Sequence, residues 1–178
     1  MHRAEVLHCA YSYHTEPFVN ANPNGLGSYL FRLQTKGHCR ALVQGDMCDI
    51  GPGDLLLYKP GDRYALTVDE HPLNAPAHKV SSGDYYVFCR GAWLDEWWRR
   101  HPRPTIARID DTEPILSLWR MLILENRRLQ HGNPELNDYL LRALVLQFDR
   151  SVAARSEVIG SPFVASRMRS FIEEHAAH

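Results

Sequence analysis

The chain is predicted to be mainly β with helices at its C-terminal end: a small antiparallel barrel followed by a hairpin of two helices. Three observations predict this. Up to about residue 91, short runs of β-branched, aromatic and leucine residues are broken by Gly, Pro, Asn and Asp at roughly eight- to twelve-residue intervals, the texture of a sandwich or barrel. From about residue 92 the apolar residues recur at three- and four-residue spacings, the period of a helix. A helix-breaking HGNP at 131–134 then divides the helical part in two.

The strand candidates are 28–34 (SYLFRLQ), 39–43 (CRALV), 54–58 (DLLLY), 64–68 (YALTV) and 85–89 (YYVFC). Between them stand the turn signals NPNG at 22–25, QGD at 44–46, GPGD at 51–54 and KPGD at 59–62. The stretch 70–83 holds two prolines, which cannot donate to a ladder, and reads as a long loop. Trp93 and Trp97 stand four apart and share one face of a short helix. A longer helix is expected over 113–129, with Ile115, Leu118, Trp119 and Leu122 as its apolar stripe. Asn133 is a favourable N-cap and Pro134 a favourable first helical residue. The next helix should run to about 153, with Leu136, Leu140, Leu144 and Phe148 on one face. Residues 154–161 read as a linker. Ser161 and Pro162 then open one more helix, with Val164, Met168, Phe171 and Ile172 in register.

The 178 residues are 44% hydrophobic and 23% charged, enough for a sizeable core. Net charge is −1, and the balance is even along the chain: 12 basic and 12 acidic residues up to 110, then 8 and 9. A nucleic-acid-binding domain usually carries a basic face, because neutralised phosphates supply most of the affinity. Nothing here has that footprint. Cys9, Cys39, Cys48 and Cys89 lie far apart, with no CxxC pair, and read as buried free thiols of a reducing compartment. The first residues lack the apolar core of a signal peptide, and no apolar run approaches the ~20 residues of a membrane span. A cytoplasmic protein without membrane contact is expected.

The segment 53–64 (GDLLLYKPGDRY) carries the most information. A Pro-Gly turn, a buried strand and a second Pro-Gly turn resemble the second motif of the cupin barrels. Metal-binding cupins place a histidine ligand where this chain has Tyr64. Their first motif brings a His-x-His pair, whereas the matching stretch 37–43 has only His38, beside Cys39. A catalytic transition metal needs at least three ligands, so neither a metal nor any other cofactor, and no catalytic residue, is expected.

Within the cupins, the chain resembles the effector-binding and dimerisation domain of bacterial AraC-type transcription regulators. Four stretches match in order: 29–37 with Gly45, 53–61 (GDLLLYKPG), 85–88 running into 93–97, and 140–146. Residues 167–175 resemble the first helix of the family's DNA-binding half. The resemblance implies a cupin-like jelly-roll barrel over 1–110, a helical dimerisation hairpin over 111–153, a linker over 154–161, and over 162–178 the first helix of a helix-turn-helix domain that this chain lacks. DNA would be reached only through that missing domain.

Transferred by position, the ligand-binding candidates are His8, Asn22, Tyr64 and Tyr85, with Leu26 and Leu66 as apolar lining. Relatives often carry arginine where this chain has Asn22, which turns the expectation from an anion toward a sugar or polyol. An aromatic plane can stack on a sugar ring, and amides and imidazoles bind hydroxyls. The helices hold more apolar residues than one face needs, so a homodimer is expected, with Leu136, Leu140, Leu144, Trp119 and Leu122 at its interface. The alternatives are a metal-dependent cupin enzyme (a sugar isomerase or dioxygenase) and a standalone small-molecule-binding cupin.

Overall fold

The computed structural model describes residues 3–160, with side chains to residue 155. Nine strands and three helices form it: β1 (Glu5–His14), β2 (Phe18–Asn22), β3 (Tyr29–Gly37), β4 (Cys39–Val43), β5 (Asp46–Ile50), β6 (Asp54–Tyr58), β7 (Tyr64–Val68), β8 (Ser82–Arg90), α1 (Ala92–Arg99), β9 (Ile106–Arg108), α2 (Glu113–Asn126) and α3 (Pro134–Gly160). The strands make two antiparallel sheets, one in the order β1-β8-β3-β6-β9 and one in the order β2-β7-β4-β5. The architecture is the expected cupin-like one, mainly β with C-terminal helices, although the two sheets do not close into a continuous barrel.

Turn chemistry sets the sheet geometry. Gly53 adopts φ +93° in the β5–β6 turn, and a Cβ there would stand 2.8 Å from the carbonyl oxygen of Ile109. Only glycine combines that left-handed backbone with so close an approach. At Gly25, φ +98°, a Cβ would stand 2.7 Å from Gly61 O. There the β2–β3 connection locks onto the β6–β7 turn through Leu26 N–H to Asp62 O and Gly61 N–H to Leu26 O.

Side chains alternate across each strand, so the five-stranded sheet has two buried faces. Its outer face presents Tyr29, Phe31, Leu33, Leu55, Leu57, Val87 and Cys89 to the helices, where Leu94, Trp97, Ile115, Trp119, Leu122, Leu141, Leu144, Val145 and Phe148 complete one core. Burying each large side chain of this kind contributes about 1.5–3 kcal/mol. The connection after α1 is pinned by Arg103. Its guanidinium lies 3.6 Å from the Trp97 ring centroid, donates to Trp97 O at 2.6 Å and pairs with Asp149 Oδ1 at 2.5 Å. Trp97 Nε1–H donates to the second oxygen of Asp149 at 2.8 Å.

The largest departure from the expected helix boundaries is at the end of α3. Helix α2 stops at Asn126, near the expected end, and α3 begins at Pro134 with Asn133 Oδ1 accepting the N–H groups of Glu135 and Leu136. Helix α3, however, continues through Gly160 across most of the stretch 154–161 that reads as a linker. Ala153, Ala154, Arg155 and Glu157 favour helix, and no Gly or Pro intervenes before Gly160. The helix expected over 162–178 lies outside the described residues.

Replacing Asn133 by Ala should remove the α3 cap and lower stability by about 1 kcal/mol. Thermal melts of the pair should differ by about 2–4 °C.

Candidate functional site

The inner faces of the two sheets meet in a second apolar cluster: Leu26, Leu30, Cys39, Ala41, Val43, Ile50, Leu56, Tyr58, Tyr64, Leu66 and Val68, with Cys48, Tyr86 and Phe88 partly buried against it. Most of the barrel's middle is therefore filled by its own side chains. Surface cavities lie elsewhere among the described residues. One, of about 320 Å³, sits between the start of α2 and the later part of α3. One of about 470 Å³ lies beside β1 and the α2–α3 turn, and one of about 320 Å³ lies where the β4–β5 and β6–β7 turns meet.

Strands β1 and β2 are edge strands, as are β9 and β5 at the other ends of their sheets, and no ladder joins β1 to β2 or β9 to β5. Residues directly opposite in an antiparallel pair project to the same face. Phe18, Asn20 and Asn22 pair with Val68, Leu66 and Tyr64, so all three face inward, yet Phe18 and Asn20 are exposed. On the facing lip, Cys9 points to the helices, which turns His8 and Ala10 inward, and His8 is also exposed. His14 stacks on Phe18 with ring centroids 4.2 Å apart and bridges the two lips. Strands β1 and β8 form one side of a wedge and β2 and β7 the other, filled in its depth by the inner cluster.

The floor of the wedge is polar. Arg32 on β3 and Asp84 on β8 are both buried, and their Nη2 and Oδ2 lie 2.5 Å apart. Arg32 Nη1–H donates to Tyr64 Oη at 2.7 Å, and the guanidinium lies 5.8 Å from the Tyr86 ring centroid. Tyr86 Oη and His8 Nε2 are 2.9 Å apart, which carries the polar chain out to the lip. Deeper in, Gln34 Nε2–H donates to Ser82 Oγ, and its Oε1 accepts from Cys39 Sγ–H.

Burial dominates the electrostatics here. It pushes the Asp84 carboxyl above its ordinary value, with Arg32 opposing. Burial also works against the Arg32 charge, but Asp84 and the Tyr64 oxygen outweigh it and hold the guanidinium protonated. Asp84 is therefore the half of the pair that titrates. Burial likewise pushes Tyr64 up to about 12 and the Cys39 thiol up to about 11. Both stay protonated at neutral pH, so Tyr64 is a neutral hydroxyl and Cys39 a poor nucleophile. Cys9 and Cys89 are buried free thiols too, while Cys48 is half-buried.

The family described as the AraC-like ligand binding domain matches residues 8–145, well over half of the chain. The chain belongs to that family. No curated protein matches it. Among solved structures, a Cupin 2 conserved barrel domain protein from Salinispora arenicola CNS-205 is 18% identical, with 56% of this chain and 85% of that one covered and a TM-score of 0.37. ToxT from Vibrio cholerae is 8% identical, with 84% of this chain and 57% of that one covered and a TM-score of 0.49. This AraC-like domain thus spans a little over half the length of ToxT.

In this AraC-like domain the expected ligand residues divide. His8, Asn22, Tyr64 and Leu66 lie on the inner side, and Leu26 belongs to the inner cluster. Tyr85 does not: it packs on the outer core, 4.8 Å from the Tyr11 ring and 6.1 Å from Trp119. Its neighbour Tyr86 faces inward instead, because β8 alternates with Asp84, Tyr86 and Phe88 on the barrel side.

Of the residues expected to meet a second copy, Trp119, Leu122, Leu140 and Leu144 are buried inside the protomer, and only Leu136 stays exposed, at 40%. The longest apolar stripe on each helix covers the sheet. What remains outside is Met121 and Leu124 on α2, and Leu136, Tyr139 and Leu146 on α3.

Sequence reasoning missed Arg32, Gln34, Asp84 and Tyr86. The signal was present: SYLFRLQ and GDYYVFC each carry a charge inside an otherwise apolar strand, and such a charge needs a buried partner. Among the described residues, no group of three or more His, Cys, Asp or Glu side chains is arranged to hold a metal, and no helix is long and apolar enough to cross a membrane.

Asp84→Ala should cost about 3–5 kcal/mol, because it strands the Arg32 charge indoors. The double variant Arg32→Met/Asp84→Leu should lose much less. Urea unfolding of both variants checks this order.

Proposed function

We propose that this chain is the effector-sensing half of an AraC-type transcription regulator, with no chemistry of its own. A small neutral polyhydroxylated molecule, a sugar or polyol, binds in the wedge between the two sheets. The family match and the neutral, hydroxyl-ready floor of the wedge support this reading. Arg32 is already neutralised by Asp84, so an incoming anion would have to break a 2.5 Å ion pair. A hydroxyl would not. Asp84 Oδ2 touches the guanidinium but receives no well-directed hydrogen bond, and Tyr64 Oη accepts from Arg32, which leaves its own proton to donate. At the lip, His8, Asn20 and Asn22 offer further donors and acceptors, and Tyr86 and Phe18 offer ring faces.

The enzyme alternative is weaker. Where metal-binding cupins carry a histidine ligand, Tyr64 has its oxygen engaged by Arg32. In the regulator reading the helix pair over 111–153 joins two copies. The partner would then meet Met121, Leu124, Leu136, Tyr139 and Leu146 rather than the inward stripe. DNA would be read by a further domain in a cytoplasmic setting.

A thermal-shift panel of neutral sugars, polyols, carboxylates and fatty acids tests the reading. A neutral polyol at a hundredfold its Kd should add about 2.7 kcal/mol of stability, and Asn22→Ala or His8→Ala should abolish the shift. Stabilisation by anions alone, insensitive to those changes, would refute it. Light scattering at micromolar concentration should show a dimer that Leu124→Glu splits into monomers; a monomeric parent chain would remove the dimerisation part.

A further inference from the structure

The cavity of about 470 Å³ beside the α2–α3 turn lies outside the wedge, and none of the wedge residues lines it. Its volume falls within the roughly 300–1,000 Å³ that small ligands occupy. One wall is the start of β1, from Arg3 to Val6. The other is the end of α2 with the first turn of α3, from Glu125 to Asn137.

Both walls are held from within. Ala4 is buried, and its N–H donates to Asp138 Oδ1 at 2.9 Å, which ties β1 to α3. Arg3 O packs so closely on Gly91 that no side chain fits there. On the other wall, Gly132 N–H donates to Arg128 O at 3.1 Å. Asn133 N–H donates to Glu125 Oε1 at 2.8 Å, and Arg128 Nε lies 3.2 Å from Glu125 Oε2. A cavity fixed in this way needs little ordering to receive a ligand.

Polar groups at this cavity are left uncommitted. Arg3 is exposed and makes no side-chain hydrogen bond or ion pair among the described residues. Asp138, whose charge it feels, is already held through both oxygens by Arg142, at 2.7 and 3.0 Å. Asn126, half-buried at the end of α2, makes no side-chain hydrogen bond among the described residues. Asn137 Oδ1 is buried and has no hydrogen-bond partner among them. A buried acceptor without a donor is costly. The last torsion of asparagine is soft, so a turn of the amide carries this oxygen toward the cavity that Asn137 lines.

The charges set the ligand class. Glu5 is paired with Arg90, and Glu125 with Arg128. What remains is one positive charge, the Arg3 guanidinium. A carboxylate matches it, because a guanidinium fork binds both carboxylate oxygens at once. A doubly charged anion does not, because the buried Glu125 carboxylate in the same wall repels the second charge. Asn137 Oδ1 calls for a donor on the same molecule.

We infer that this cavity is a second small-molecule site, for a small organic monocarboxylate that also carries a hydroxyl or ammonium donor. The carboxylate sits on Arg3, and the donor goes to Asn137 Oδ1. Arg3 precedes β1 and Asn137 stands on α3, so the bound acid bridges the first strand and the helical hairpin. The site stands independently of the wedge.

Isothermal titration calorimetry of the full chain tests it, with lactate, glycolate, L-serine and L-alanine as probes and propionate and sulfate as controls, all at one ionic strength. A hydroxy acid or an amino acid should bind, and which of the two binds tells hydroxyl from ammonium. Propionate, which lacks the donor, should bind about tenfold or more weakly. Arg3→Gln should weaken the bound acid by about tenfold or more, and Arg3→Lys by less. Asn137→Ala should lower its affinity to that of propionate. Arg3→Gln changes an exposed side chain, so it decides the matter even if Asn137→Ala fails to fold. His8→Ala and Asn22→Ala should leave acid binding unchanged; its loss in either would put the acid in the wedge and overturn this site. So would no binding of any of the four probes at millimolar concentration, equal binding of propionate or sulfate, or an Arg3→Gln chain that binds as the parent does.

Discussion

Arg32 and Asp84 face each other between the two sheets with almost no water around them. A buried ion pair contributes little net stability, because desolvation cancels most of the attraction. It contributes specificity instead. Each charge sits on a strand whose alternate residues are apolar, so a one-residue slip of β3 or β8 would drive a charge into the helix-side core among Phe31, Trp97 and Val87. The pair therefore fixes which residues of β3 and β8 look inward. Tyr64, Tyr86 and, through Tyr86, His8 take their positions from it.

The same alternation gives the five-stranded sheet two kinds of neighbour. Toward the second sheet it shows Leu30, Arg32, Asp84 and Tyr86; toward the helices it shows Phe31, Leu33 and Val87. The helices add a continuous apolar cover and seal that side. On the other side no strand bridges β1 and β2. The buried polar groups and the helix-side core thus occupy opposite faces of one sheet, with only the backbone between them.

The helical part was legible because helix period, Asn133 and Pro134 all agree, and local signals suffice for local structure. The strands between Pro-Gly turns were legible for the same reason. What escaped was parity. Tyr85 and Tyr86 are chemically identical neighbours, and the bulge between Gln34 and Lys36 shifts the β3–β8 register, so counting from a turn does not say which tyrosine faces inward. The charges in the middle of β3 and β8 would have said so. Four of the residues expected at a dimer interface lie in the chain's own core for a related reason: the strongest apolar stripe on a helix covers the larger neighbouring surface, which here is the sheet. The end of α3 escaped because a run of good helix formers near 154 carries no stop signal before Gly160.

Helix α3 is unbroken for 27 residues, about 40 Å at the rise of an α-helix. It is gripped near its middle, where Asp149 takes both the Trp97 indole and the Arg103 guanidinium. It is also held before and after that point, by Asp138 accepting from the Ala4 N–H and by Arg155 pairing with Asp110. So clamped, the rod has no hinge of its own, and any shift of the sheet face beneath it must carry the whole shaft along as one piece.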